Sequence, residues 1–498
     1  MTYTEYFRRF NANDEEQVIQ WIPNDAAETF LLKNAPRLYC PDKTVEETFA
    51  FRTWTIRKHL KQTEDGCVLT EFLVNEQLKW AGKHNTINAP LTHHLNEYRW
   101  FKNADLLLDY IGFFLEGDGQ AYAYHTPALT AMVRFCLLTD NEQFLKEHID
   151  SLERYFLYWE SEHRTACGLY RSNDDREGTE VTISGTTPDK KRLYGLRPLM
   201  NACMYGDACA LAQVFEMVGD KEKSAHYRQR AEEIREGVER ILWDGTFFKA
   251  IHPLDQNFDR EITLSDIPEG CDARELMGYI PWAFGLPSAG KEHAFALLKD
   301  ARSFRATTGL TTAEISNPRF MYRPNGCTWN GNVWPYSTSY AIGAVIELLT
   351  SYEQDVMTNA DLYDLIQTYA KMHYSMEDGK RVNFVDEVMS PFEPVWSRRA
   401  QAKATGAWLA DRGRDYNHST FVDLVLRGLC GIDEHAETLT VKPRIGGIWP
   451  WFKLENLTFR GETYTVYYDE DGTVFGKGTG VTIEKHSEKD SQERRTSC

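Results

Sequence analysis

The sequence has no surplus of positive charge, no apolar run of membrane length and no ordered cysteine pattern. Its 498 residues hold 56 Lys and Arg against 74 Asp and Glu, a formal charge of −18. That balance lacks the basic surface that a nucleic-acid backbone or an anionic bilayer recruits. No stretch reaches the ~18 apolar residues needed to span a bilayer. Residues 1–16 are polar, without the apolar centre of a secretory signal. The ten cysteines include no CxxC pair. In a chain this long they read as buried thiols, not as a disulfide framework or a zinc site. These absences lead us to expect a cytosolic protein with no metal or organic cofactor and no membrane or nucleic-acid partner. Oligomeric state leaves no signature in the sequence.

Aromatic residues are abundant instead: 13 Trp, 25 Tyr and 26 Phe. Most of them serve a large core. Rings in excess beside many carboxylates also suit a sugar pocket, where flat faces cover the apolar sides of the sugar.

The chain has no Gly-rich loop after a strand and no alternation of strand and helix. From about residue 90 to 430 it repeats helix, short loop, helix, with ten to twelve helices expected. Gly219-Asp220 closes one helix and opens the next, since Gly suits the left-handed position after a helix and Asp the N-cap. Beyond it Tyr227, Ala231, Ile234, Val238 and Ile241 recur at gaps of three and four, the spacing of one helical face. Asp140 with Gln143 reads as a capping box ahead of Phe144, Ile149, Leu152, Tyr155, Phe156 and Trp159. Residues 336–349 are apolar or small almost throughout, as in an inner helix packed on both sides. Residues 67–72 are β-like. Short strands are expected at 438–441, 457–459, 464–468 and 481–483, with Asp471-Gly472 as a hairpin turn. No Pro-, Gly- or Ser-rich linker marks a boundary. The expected organisation is an N-terminal segment (1–44), a helical barrel (45–436), a small β appendage (437–483) and a charged, disordered tail (484–498).

Function should lie in four polar–aromatic loops, because loops at one end of a helical barrel converge on its axis. They are residues 93–100, 168–185 followed by Arg197-Pro198, 319–336, and 384–421. The second holds Asp174, Asp175, Glu177 and Glu180. A carboxyl packed against like charge and apolar walls stays protonated near neutrality and can act as a general acid. Its partner must come from a distant loop, and Glu387, among Val385, Val388 and Met389, is the best candidate. Two such carboxylates meet the minimum requirement for hydrolysing a glycosidic bond. His93 and His94 are adjacent, which points them about 100° apart on a helix, and no HxxxH or carboxylate triad joins them, so no metal site is expected. Residues 416–420 contain a His and a Ser but no GxSxG elbow.

At these loops the sequence resembles the clan-G (α/α)6 glycosidases, most closely glycoside hydrolase family 63 and its mannosylglycerate-hydrolase-like relatives. The resemblance is carried by Gly168-Leu169-Tyr170, the EGTEVTISG loop, Arg197-Pro198 and MYGDA at 204–208. The stretch CTWNGNVWP at 327–335 is similar to the WRGPxWP signature. Glu387 with Pro391 is similar to the ExxxP base motif. The resemblance covers about residues 45–430. It implies a mainly α fold, an (α/α)6 toroid barrel with a small C-terminal β appendage, and an inverting exo-glycosidase acting on a terminal, α-linked sugar of a small glycoside or oligosaccharide. Glu387 would be the base. The family's acid is an Asp in a GWDNSxR-like turn, where this chain reads DDREGTE, so the implied acid is Glu180 or Glu177, with Asp175 third. His94, Arg99, Trp100, Arg197, Trp329, Asn330, Trp334, Tyr416 and His418 would form the sugar-binding wall. A sugar epimerase or isomerase on the same fold, with His93 or His418 moving protons, and a non-catalytic glycan-binding protein are the alternatives.

Overall fold

A computed structural model describes residues 1–486 except 325, 378 and 408. Between residues 91 and 424 it has twelve α-helical segments among the described residues. Gly219 takes a positive φ of 80°, and the Asp220 carboxylate accepts from the Lys223 amide at 3.0 Å. The helix that follows, Lys221–Ile241, buries the five apolar residues spaced for one face. Helix Pro335–Ser351 is buried along most of its length. Asp140 departs from expectation. It lies at φ 62°, Asn141 holds the N-cap without a side-chain bond, and the helix breaks at His148 into Glu142–Glu147 and Ile149–His163.

Six segments touch in a closed cycle: Leu91–Tyr98, Ala128–Leu138, Pro198–Met217, Ile280–Ala283, Pro335–Ser351 and Phe421–Leu424, the last meeting the first. Helices Lys43–Lys58, Lys221–Ile241 and Asn359–Lys371 pack against members of this cycle. Three of the six carry Pro in their first turn, where the missing N–H is an orphan donor anyway and φ is already set for a helix. Leu199, Ala202, Cys203, Ile280, Tyr336 and Tyr340, all near such starts, join Trp329, Trp334 and Tyr416 in one apolar cluster. The first turns of several segments therefore point to the same end, and the long loops gather there.

A four-stranded antiparallel sheet draws on both ends of the chain. Its order is Arg37–Tyr39, Trp451–Phe459, Glu462–Asp469, Gly480–Lys485. The strands expected near 457, 464 and 481 fall within it. Residues 438–441 instead make only an isolated bridge, Ile432 to Val441. The tight hairpin turn is Arg460-Gly461, both at positive φ (47° and 72°), between the paired Phe459 and Glu462. Asp471-Gly472 sits instead in the longer connection to the last strand, where the Asp471 side chain accepts from Thr473. Glu484 and Lys485, assigned to the tail, belong to that strand. The rest of the expected disordered tail, from residue 487, lies outside the described residues. Nine cysteines are free thiols among the described residues. None of the described helices is long and apolar enough to cross a membrane.

Candidate active site

Three of the four carboxylates in the 174–180 loop are committed to holding the loop in place. Asp174 is buried and accepts from the Thr182 amide (3.1 Å) and hydroxyl (3.3 Å). Asp175 lies at the surface, ion-paired with Arg192. Glu177 is buried and takes the Arg197 Nε–H at 2.6 Å, beside the first turn of helix Pro198–Met217. Arg197 also donates to the Thr179 hydroxyl at 3.2 Å. Predicted for the sugar wall, it fastens the loop to the start of that helix.

Glu180 differs. No cation pairs with it among the described residues, and its one side-chain partner is the Cys327 thiol, with Sγ 3.3 Å from Oε2. Burial, with Asp175 and Glu71 nearby, pushes its carboxyl up to about 7. Its carbonyl accepts the Trp329 amide at 3.0 Å. The next residue, Val181, has φ 62°, a conformation that a β-branched residue adopts only when its surroundings impose it. Asn330 Nδ2 holds the Val181 carbonyl at 3.2 Å. The 327–334 segment thus fixes the backbone on which Glu180 is mounted.

Glu387 is 3% exposed and gripped by two guanidiniums. Arg398 Nε lies 2.8 Å from Oε2, and Arg412 Nη2 is 3.3 Å from each oxygen. Under it, Asp386 Oδ1 accepts the Glu387 amide at 2.7 Å. Asp386 itself is pushed up to about 7, first by burial and then by the neighbouring Glu387. The Cys327 thiol, in contact with Glu180, is also raised by the charge of Glu387, so both carboxyls lie in its neighbourhood although they stand 207 positions apart in the chain.

A cluster of buried aromatic rings lies beside these residues. Trp329 and Trp334 stack at 4.4 Å, and Trp329 meets Tyr336 edge-on at 5.5 Å. Tyr416 lies 4.2 Å from His418 and 5.5 Å from Phe72. Arg412 covers the Phe72 and Trp80 rings. His93 stacks on Tyr336 at 4.4 Å. Burial pushes His418 down to about 3, and burial also pushes His93 down, leaving both rings neutral.

Three residues predicted for the wall are turned elsewhere. Arg99 donates to Asp423 (Nη2 2.6 Å) and pairs with Glu434. Trp100 Nε1 donates to the same Asp423 at 2.9 Å. Arg427 joins both acids, closing a buried charge network. His94 is fully buried against the Tyr110 hydroxyl, 3.0 Å away. The carboxyl of Glu71, absent from the sequence-based list, lies beside Tyr416 and His418. Among the described residues only Glu64, Asp65 and His84 are spaced to hold a metal ion. Lys83 occupies that surface cluster with Nζ 2.6 Å from Asp65.

The sequence profile of the mannosylglycerate hydrolase MGH1-like glycoside hydrolase domain matches residues 83–419, which include Glu180, Glu387 and the 327–334 segment. The chain belongs to this glycoside hydrolase family. None of the curated proteins matches the sequence. Among solved structures, one named as a sialidase is similar at 29% identity and a TM-score of 0.86, over 97% of this chain and 43% of that one. A family 78 rhamnosidase of Bacillus sp. GL1 is similar at 14% identity and TM-score 0.55, over 88% and 40%. A family 63 mannosylglycerate hydrolase from Thermus thermophilus, in complex with glucose, is similar at 12% and 0.50, over 76% and 99%. The chain spans less than half the length of the first two. The likeness to the rhamnosidase and the mannosylglycerate hydrolase is one of fold. Membership of the MGH1-like family gives the cleft its frame: the chain carries a glycoside hydrolase domain.

Proposed function

We propose that the cleft hydrolyses a terminal, α-linked sugar from a small glycoside or oligosaccharide, exo-fashion and with inversion, Glu180 serving as general acid and Glu387 as general base. The observation that carries this is the contrast between the two carboxyls. Among the described residues Glu180 has no cation paired with it, and it keeps its proton to about pH 7, as a donor to a leaving oxygen must. Glu387 accepts from two guanidiniums, a setting for a carboxylate that activates water. In this reading Glu177 and Asp175 are structural, and the closed cycle of six segments is the inner wall of an (α/α)6 toroid. Inversion calls for carboxyl groups ~6.5–9.5 Å apart, with water between base and sugar. Trp329, Trp334, Tyr416 and His418 cover the sugar, while Asn330 positions the acid loop.

The epimerase reading loses support here. A histidine that shuttles protons works best when it titrates near the operating pH, and burial holds His418 at about 3. The test is a panel of nitrophenyl α- and β-glycosides and disaccharides followed by proton NMR. Release of a second sugar or phenol, with the product anomer inverted, is expected. Interconversion of reducing monosaccharides without release would overturn the reading.

A further inference from the structure

A groove of about 370 Å³ lies at the root of the 174–180 loop, where strand Arg171–Ser172 pairs with Gly195–Leu196. Its volume falls within the ~300–1,000 Å³ typical of small-molecule sites. Arg171 starts the first of these strands and Tyr194 precedes the second, and both line the groove. Neither Glu180 nor Glu387 lines it, so it stands apart from the acid–base pair.

Two guanidiniums line this groove. Arg171 is exposed and lies over the Phe258 ring, 5.6 Å from its centroid. Arg176 is tied through Nη1 to the carbonyls of Tyr122 (2.7 Å) and Ala123 (3.2 Å). Neither is paired with a carboxylate among the described residues, although the chain carries a formal charge of −18. The lining has one carboxylate, the exposed Glu162. His163 is 7% exposed, and its Nδ1 lies 2.9 Å from the Arg171 carbonyl. A carbonyl only accepts, so Nδ1 carries the proton. Burial pushes the His163 pKa down, which keeps the ring neutral and leaves Nε2 an acceptor with no partner among the described residues. The Tyr194 ring is 37% exposed and meets no other ring among the described residues. Its backbone is clamped by Gln256, which accepts the Tyr194 amide at 2.9 Å and donates to its carbonyl at 3.0 Å. A free ring on a fixed backbone is a platform already ordered for binding.

Unpaired guanidiniums suit a carboxylate or a sulfate. A bare imidazole nitrogen takes the proton of a hydroxyl. An open tyrosine ring offers a flat face to the C–H side of a pyranose. One class of small molecule combines all three features. We propose that this groove is an accessory site for an acidic sugar, its carboxylate or sulfate held by Arg171 and Arg176, a hydroxyl by His163 and its ring face by Tyr194.

The test is calorimetric titration of the full chain, at fixed ionic strength, with D-glucuronate, N-acetylneuraminate, D-glucose 6-sulfate, D-glucose and inorganic sulfate. At least one acidic sugar should bind at least tenfold more tightly than both glucose and sulfate. Arg171→Ala should weaken that binding by about tenfold or more and Tyr194→Ala by about threefold or more. Glu162→Gln, which removes the opposing charge, should tighten it by about twofold. All three positions are exposed, and each variant is first checked for an unchanged unfolding temperature; should one lose its fold, the others decide. The proposal is overturned if no acidic sugar binds better than glucose, or if sulfate binds as well as the sugars, which would make this an inorganic-anion site only. It is also overturned if Arg171→Ala and Tyr194→Ala bind as the parent does, which would put the sugar elsewhere. Because the groove excludes Glu180 and Glu387, the two readings fail separately. An acidic sugar held through Arg171 by a protein that cleaves no glycoside keeps this inference and removes the hydrolase reading.

Discussion

Replacing Glu180 by Gln removes a proton donor while keeping the shape of the side chain and its contact with Cys327. The carboxyl titrates at about 7, so about nine-tenths of the parent enzyme carries the proton at pH 6 and about one-tenth at pH 8. Activity that needs this proton is present below pH 7 and falls about tenfold per unit above it. General acid catalysis contributes about 10²–10⁴-fold, or about 3–5 kcal/mol of barrier, when the leaving group is an alkoxide. A glycosyl fluoride leaves without that help. Glu180→Gln should therefore lose about 10²–10⁴-fold on an alkyl glycoside and less than about tenfold on the matching fluoride. Its fluoride profile should also show no fall through pH 7. The assay is kcat/KM for both substrates from pH 5 to 9. Equal losses on the two substrates, or an alkaline limb that survives the substitution, would refute the acid role.

Asp207 is buried, accepts from the Thr130 amide (2.8 Å) and hydroxyl (2.9 Å), and is raised by burial to about 7. Its folded value exceeds the ~3.9 of an unfolded Asp, so its contribution to stability is full below pH ~4 and fades as pH rises through 7, a swing of about 4 kcal/mol. Asp207→Asn should accordingly gain on the parent between pH 4 and 8 in urea unfolding; a parallel pH dependence in both proteins would contradict this. Arg197→Ala strands the buried Glu177 and should cost about 3–5 kcal/mol, part of it returned by adding Glu177→Gln, as read from denaturation midpoints. A Cβ at Gly413 would come 2.0 Å from Asp386 Oδ1, the oxygen that seats the Glu387 amide. Gly413→Ala should thus lower kcat by about 10²-fold with an unchanged circular dichroism spectrum, whereas full activity would show that Asp386 does not position the base.

Much of the helical frame is legible in the sequence because apolar spacing and caps are local. Gly219-Asp220 and the face from Tyr227 to Ile241 needed nothing beyond their own neighbourhood. The sheet was only half legible: its first strand, Arg37–Tyr39, pairs with a segment more than 400 residues later. The turn Arg460-Gly461 escaped because Arg carries no turn signal of its own. Glu387 was readable as a carboxylate among apolar neighbours, but its guanidinium partners were not. In the 174–180 loop, residue types name three possible acids within six residues, and only the partners Arg192 and Arg197 separate them. Arg99 and Trp100 have the composition of a sugar wall, yet they serve Asp423, 324 residues away. Glu71 follows the short strand Gly66–Leu69, and its one local signal is a carboxylate within the β-like CVLTEF passage.

The acid–base pair is tested most directly by a proton NMR time course of glycoside hydrolysis with the parent protein and with Glu387→Gln. Glu387 as base predicts that the first product anomer has the opposite configuration to the substrate and that the folded variant is slower by about 10³-fold or more. A retained anomer, or a variant that hydrolyses at the parent's rate, would contradict it.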